Sequence, residues 1–307
     1  MNYRFERLSD SNLHHLPLLY YSLYKKHLPV SYFASKYNTA HLTPSKYGYF
    51  AFDNQTAAGF TGMIPYALEY QGKKELAVQS VDSMTHPLYM KQGIFKMLMD
   101  YVYEDLQKEN VSFIWGFPND ASVKSATKKL NWLPTPNING YYIPIANRYT
   151  SYLIRKTNQF LYQQKPLEKN FASEITNEFP LHSLRECDYV TTVRNRAFFD
   201  YKKFGGSILV TIQGKKLWLK LNGSLFIGDM DIVSPSELKQ IMTELIARAK
   251  CLGATNIYFQ THGGSQLDKS FSALYPNVGS WKILYHQLNS TFPLSKIGVT
   301  LGDLDSF

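Results

Sequence analysis

The residues best placed to do chemistry lie in one run, QSVDSMTHPLYMKQGIFKML, from Gln79 to Leu98. It sets a strand, a short loop and a glycine-bearing helix start in succession. The first turn of a helix leaves backbone N–H groups unpaired at the positive end of the macrodipole, so such a junction is an anion site by construction. Gly93 lets a ligand phosphate approach the main chain, and Lys91 and Lys96 add positive charge. A glycine here also simply closes a turn in proteins that bind nothing. Farther along, Asn119 and Ser122 follow the next strand at a helix start, at the spacing of an N-cap pair. His86 precedes a proline in a turn, more often a structural place than a basic one. Asp229 with Asp231, and Asp303 with Asp305, offer carboxylates without a third ligand at metal-binding spacing.

The elements around this run follow from its periodicities. Tyr3 to Leu8 alternates as a short strand, and Ser9 or Ser11 opens a helix whose Leu13, Leu16, Leu19, Tyr20 and Leu23 repeat at helical spacing. A second short helix is expected near Tyr32. The runs YGYFAF from Tyr47, GFTGMIPYALEY from Gly59 and LAVQSVDSM from Leu76 then read as an antiparallel meander, with turns at Asp53-Asn54 and Gln71-Gly72. Gly93 to Glu109 carries Ile94, Phe95, Leu98, Met99, Val102, Tyr103 and Leu106 on one side, the pattern of an amphipathic helix. A strand from Val111, a helix ending near Leu130, the run LNWLP and a last strand NGYYIPI from Asn139 complete an α/β arrangement.

From Arg148 to Lys165 the chain is helix-like and Tyr-rich, and a polar segment then leads into a second half that repeats the theme. Strands are expected from Ser207, Lys216 and Ser224. A helix opened by Ser234-Pro235 and closed by Gly253 follows, then a strand from Asn256, a helix-like segment from Ser265, and the run VGSWKILYHQL. Each half places an aromatic near a turn after its last helix, Trp132 and Trp281, and duplication of one α/β unit is the economical explanation. At 307 residues the chain exceeds the usual single domain. Two domains are expected, at 1–149 and 150–307.

Composition limits the partners. A formal charge of +9 favours an anionic one, but the basic residues occur as scattered pairs such as Lys25-Lys26 and Lys128-Lys129, without the basic arm of a nucleic-acid binder. Cys187 and Cys251 are too few for a disulfide framework and lack metal spacing. No charged start followed by an apolar core marks a secretory signal, and no membrane-spanning run of apolar residues occurs, so a cytoplasmic protein is expected.

The wording HPLYMKQGIFKMLMDYVYEDLQKENVSFIWGFPNDASVKSATKKLNW, with VDSMTHP before its loop and GVTLGDLDSF at the end of the chain, resembles the GCN5-related N-acetyltransferases. It looks like the tandem-domain branch often linked to surface polysaccharide synthesis. The resemblance covers most of residues 3–145, and the second half in outline. It implies two tandem domains of that fold, each a mixed, mostly antiparallel sheet flanked by helices. The first would bind acetyl-CoA, and the second, degenerate, would bind none and shape the acceptor pocket. Met84, Thr85, Lys91, Gln92, Gly93, Ile94 and Phe95 then become cofactor contacts, joined by Asn119 and Ser122. Against the family signature [QR]-x-x-G-x-[GA], Met90 stands where Arg or Gln is usual and Phe95 where a small residue is usual.

Acetyl transfer to an amine needs a base for the ammonium proton and a donor for the leaving thiolate. The resemblance assigns the base to Asp82, on the strand before the loop, a place that equally suits a carboxylate capping the sheet end. At the position of the family's Tyr acid stands Thr127, with Asn131 for the glycine of the following turn. The acceptor implied is a small-molecule amine, an amino sugar in this branch, with neither nucleic acid nor a membrane span involved. Two other readings are a scaffold that keeps the fold without catalysis, and a transferase that takes aminoacyl groups from tRNA to peptidoglycan precursors.

Overall fold

The computed structural model describes residues 3–40, 42, 46–135, 138–145, 148–162, 166–179, 182–185, 187–280, 282–305 and 307; Lys165 and Trp281 lie outside them. The chain runs β1 (Arg4–Arg7), α1 (His15–Tyr24), α2 (Val30–Lys36), β2 (Gly48–Asp53), β3 (Thr56–Tyr70), β4 (Lys73–Thr85), α3 (Ile94–Lys108), β5 (Phe113–Gly116), α4 (Asp120–Leu130) and β6 (Leu133–Pro134). It continues through β7 (Ile138–Pro144), α5 (Arg148–Tyr162), α6 (Pro166–Asn170), β8 (Val190–Thr192), α7 (Arg196–Lys202), β9 (Ile208–Ile212), β10 (Lys215–Asn222) and β11 (Ser224–Met230). The last elements are α8 (Pro235–Cys251), β12 (Asn256–His262), α9 (Gln266–Ser272), β13 (Leu284–Gln287) and β14 (Ile297–Gly298).

Two compact units result. Met1–Thr135 with Lys282–Ser295 form the first, and Pro136–Trp281 with Lys296–Phe307 the second. The expected boundary at 149/150 therefore differs from the division by contacts at 135/136. The reason lies in strand pairing: β7 bonds to β12 from Ile138↔His262 to Asn256↔Pro144, whereas β13, late in the chain, pairs with β5 and β6. A strand goes where its backbone groups find partners, and neither pairing is local in sequence.

Within the first unit the order β1-β2-β3-β4-β5-β13-β6 is antiparallel except at β4–β5, which is parallel and bridged by α3. Parallel neighbours need such a crossover. Helix α3 forms because Ile94, Leu98, Met99, Val102 and Leu106 recur on one face, and all are buried against Tyr47, Tyr49, Val78 and Ile114 of the sheet. Each such burial contributes about 1.5 to 3 kcal/mol. Gly59 of β3 makes this docking close, since a Cβ there would stand 2.8 Å from Ile94 Cγ2.

The second unit repeats the plan. Its sheet runs β7-β12-β11-β10-β9, antiparallel except at β11–β12, with α8 as crossover and Leu238, Ile241, Met242 and Leu245 facing the core. The sequence expectation of three strands, a helix and a strand in this half thus matches β9 to β12, while β8 and α7 were not anticipated from it. No helix among the described residues is long and apolar enough to cross a membrane.

Candidate functional site

Strands β4 and β5 pair from Ala77↔Phe113 to Ser80↔Gly116, and there the pairing stops while β4 continues to Thr85. The two strands therefore part just where the Gln79-to-Leu98 run turns toward α3. A register shift between Phe60 and Gly62 of β3 marks a bulge in β4, and Asp82 in that bulge has φ +46. A non-glycine residue in the left-handed region is held there by its surroundings, and bulges redirect side chains.

The surroundings are explicit. Lys36 Nζ donates to Asp82 Oδ1 at 2.9 Å and lies 2.8 Å from Oδ2, and the Tyr37 hydroxyl donates to Oδ2 at 2.7 Å. The Lys36 side chain is 4% exposed and that of Asp82 19%. A buried ammonium is tolerated because a carboxylate meets it. Gly62 makes room for the arrangement, since a Cβ there would stand 2.0 Å from the Tyr37 hydroxyl oxygen. Burial, and then the nearby Asp82 and Tyr20, push the Tyr24 hydroxyl to higher pKa, with Lys36 opposing. The sequence reading missed Lys36 and Tyr37 because they sit far from Asp82 along the chain and carry no spacing signal.

Beyond Thr85 the loop reaches the start of α3. Lys91 has φ +65 and Gly93 φ +79, and the helix begins without any side-chain cap. Its first N–H groups are thus left to solvent or to a ligand. They face a cavity of about 200 Å³ lined by Thr85, Lys91, Gly93, Ile94 and Phe95 from the expected set, with Tyr89, Met90 and Lys96 beside them. Ser125, Lys129 and Leu130 reach the same cavity from α4. The cavity's cations are therefore Lys91, Lys96 and Lys129, of which Lys96 is shared with Asp100 at 2.6 Å. Lys129 went unassigned in the sequence, although its spacing of four from Ser125 puts both on one helix face.

Other expected positions lie elsewhere. Met84 is a buried residue of β4 itself, paired with Phe60 of β3. The Gln92 side chain accepts from the Tyr3 hydroxyl at 2.5 Å and turns away from the cavity lining. Asn119 is the N-cap of α4, its Oδ1 accepting from the Ser122 N–H at 2.9 Å, and neither lines the cavity. The Thr127 hydroxyl donates to the Val123 carbonyl at 2.8 Å, as helical threonines do. Asn131 ends α4 at φ +55, the left-handed cap its alignment with a glycine implied. His86 accepts from the Leu88 N–H at 3.3 Å, a turn contact.

The parting strands, the uncapped helix start and the basic cavity can be set beside known proteins. Residues 27–132 match the model of the acetyltransferase (GNAT) domain. No curated protein matches the sequence. Among solved structures, the GCN5-related N-acetyltransferase from Kribbella flavida superposes with a TM-score of 0.60 at 8% identity, over 94% of this chain and 71% of that one. The GCN5-related N-acetyltransferase from Anabaena variabilis gives 0.57 at 11%, over 94% and 73%. At these identities the likeness is one of fold. The matched residues include β4, the loop and α3, and the residues lining the cavity at the start of α3 all lie among them.

In the second unit the corresponding helix start is built differently. Ser234 caps α8 by accepting from the Glu237 N–H, and Glu237 accepts in turn from the Ser234 N–H at 2.8 Å, with Pro235 at the first position. The Ser234 backbone and hydroxyl, and then Lys215, hold Glu237 down at a pKa of about 2. Beyond the end of the β11–β12 pairing, Asp229 and Asp303 flank Arg194, which lies 2.8 Å from Asp303 Oδ2 and also bonds Asp229 Oδ2. Asp229 and Asp303, the carboxylates considered for a metal, are thus partners of a buried guanidinium.

Proposed function

We propose that this chain transfers an acetyl group from acetyl-CoA to the amine of a small molecule, an amino sugar in the favoured case, in the cytoplasm. The observation that carries the reading is the start of α3: uncapped, led by left-handed Lys91 and Gly93, and open to a basic cavity beside the parting of β4 and β5. Backbone amides at a helix start bind phosphate oxygens whatever their side chains, so Met90 in the signature's Arg or Gln place removes one donor and leaves the cradle. Lys91 and Lys129 supply charge in its stead.

Acetyl-CoA brings the activated acetyl group as a thioester. As the amide C–N bond forms, the thioester C–S bond would break and CoA would leave as its thiolate; the chain's own residues hold the phosphates at Lys91 to Phe95 and take the proton of the acceptor ammonium. Asp82 is proposed for the second. Because Lys36 and Tyr37 already donate to its oxygens, taking a proton requires one of these contacts to loosen. Asp82→Asn is expected to lower turnover and leave acetyl-CoA binding intact, and unchanged turnover would remove Asp82 as the base. The second unit is proposed to bind no acetyl-CoA, because Glu237 occupies its helix start with a fixed negative charge.

One calorimetric titration tests the central reading. Purified protein should take up one acetyl-CoA per chain, and no detectable heat at high micromolar cofactor would sink the proposal. That outcome favours the second reading, a GNAT-fold scaffold, for which the occupied Asp82 and the internally bonded Thr127 already speak.

A further inference from the structure

Helix α1 is turned unusually for a surface helix. Leu16 and Leu19 are buried, yet Leu18 is 67% exposed, Tyr21 41% and Tyr24 51%, and Val30 at the start of α2 is 42% exposed. Large apolar side chains exposed singly need no explanation, but Leu18, Tyr21 and Tyr24 recur every three residues along α1, and Val30 opens α2, which packs on α1 through Tyr20 and Phe33. The patch is rimmed by Lys25 and Lys26. Lys25 Nζ lies 5.6 Å from the Tyr21 ring centroid, and Lys26 is exposed.

Within the segment that forms this helix pair the charge is of one sign. Between Asp10 and Asp53 the sequence contains no carboxylate at all. The other two lysines of that stretch are engaged, Lys36 with Asp82 and Lys46 with Asp10, so the cations left on the patch are Lys25 and Lys26. A second copy of this chain would bring like charges together, which disfavours a symmetric dimer through this face. Its best complement is a surface that is negative outside and apolar within. Tyrosines, with an apolar body and a polar tip, and lysines with long stems suit the headgroup boundary of a bilayer.

We propose that the α1–α2 pair docks the protein on an anionic lipid surface, with Leu18, Tyr21 and Val30 entering the headgroup boundary and Lys25 and Lys26 meeting lipid phosphates. Tyr24 packs on Tyr20 with ring centroids 4.6 Å apart, Tyr20 meets Phe33 of α2 at 5.9 Å, and α2 ends at Lys36, the partner of Asp82. If the acetyltransferase reading holds, the docked face therefore borders the acceptor end of the site, and the acceptor is an amine carried on the head of an amphiphile. The docking itself rests only on the surface.

The test is sedimentation of the full chain with phosphatidylglycerol-containing vesicles and with pure phosphatidylcholine vesicles at low and high salt. Binding is expected to the anionic vesicles alone and to fall with salt. Lys25→Gln with Lys26→Gln should weaken it about fivefold for each charge removed. Leu18→Ser with Tyr21→Ser and Val30→Ser should abolish it. Acetyl-CoA calorimetry on the same variants reports folding and the cofactor site independently, so a silent cofactor titration with intact vesicle binding fails the reading above and not the docking. The proposal is overturned if anionic vesicles leave the protein in the supernatant, or if the apolar variant sediments like the parent. It is also overturned if the patch supports a dimer, or if a short RNA is bound at a salt concentration where vesicles are not.

Discussion

Helices α3 and α8 occupy the same place in the two units, each a crossover between parallel strands, yet their first turns are opposite in chemistry. The start of α3 has no side-chain cap, two left-handed residues before it and lysines around it. That of α8 is closed by Ser234, Pro235 and Glu237, with a carboxylate on its own amides. The same backbone therefore offers an anion a vacancy in one unit and a competitor in the other. A fold repeated within a chain keeps the geometry of a site at little cost, whereas two or three side chains at the helix start decide whether anything binds.

The largest expected effect comes from filling the open start. Gly93→Trp places a side chain where φ is +79, costing about 1 to 2 kcal/mol in backbone strain, and fills the cavity. Calorimetry should then show no acetyl-CoA uptake while circular dichroism shows the fold retained; residual binding near the parental affinity would break the contrast. Next in size is the response of the second unit to acid. Burial, and then the neighbouring His182, lowers His262 from 6.5 to about 4. Between those values the unfolded chain binds the extra proton, so stability rises with pH across the window and falls on acidification through it. The loss reaches about 3 kcal/mol by pH 4. Thermal melts between pH 7 and 4 should show it, and His262→Gln should flatten the profile.

Smaller effects sharpen the comparison. Ser234→Ala removes the cap of α8 and should cost about 1 kcal/mol in denaturant unfolding without altering the acetyl-CoA stoichiometry. A second equivalent of bound cofactor in this variant would show that capping alone had kept the second unit empty. Lys129→Ala should weaken acetyl-CoA binding about fivefold, roughly 1 kcal/mol, with the effect shrinking as salt rises. A salt-independent loss would mean that Lys129 acts through packing.

Periodicity made much of this legible. The helical spacing of Ile94, Leu98, Met99, Val102 and Leu106 and the turn at Gln71-Gly72 are local signals, and the elements formed where they pointed. The glycine-led start of α3 was equally visible, because an unpaired first turn is a property of a few consecutive residues. Asn119 with Ser122 was legible as a spacing but open in meaning, and the structure uses it as the cap of α4. Lys129 in the cavity was not legible, since which face of α4 turns toward α3 is a matter of packing.

What the sequence determined by itself, then, was the succession of elements, the anion-ready junction at Gly93 and the self-capped start at Ser234, all set by interactions spanning at most one helical turn. Only the tertiary structure decided that β7 joins β12 and β13 joins β5, because backbone groups pair with whatever strand satisfies them in space. It also decided that Asp82 meets Lys36 and Tyr37 across some 45 residues of chain, through a bulge and a glycine that admit the contact. A buried charge selects its partner by proximity in the fold, and no local spacing in the sequence encodes that choice.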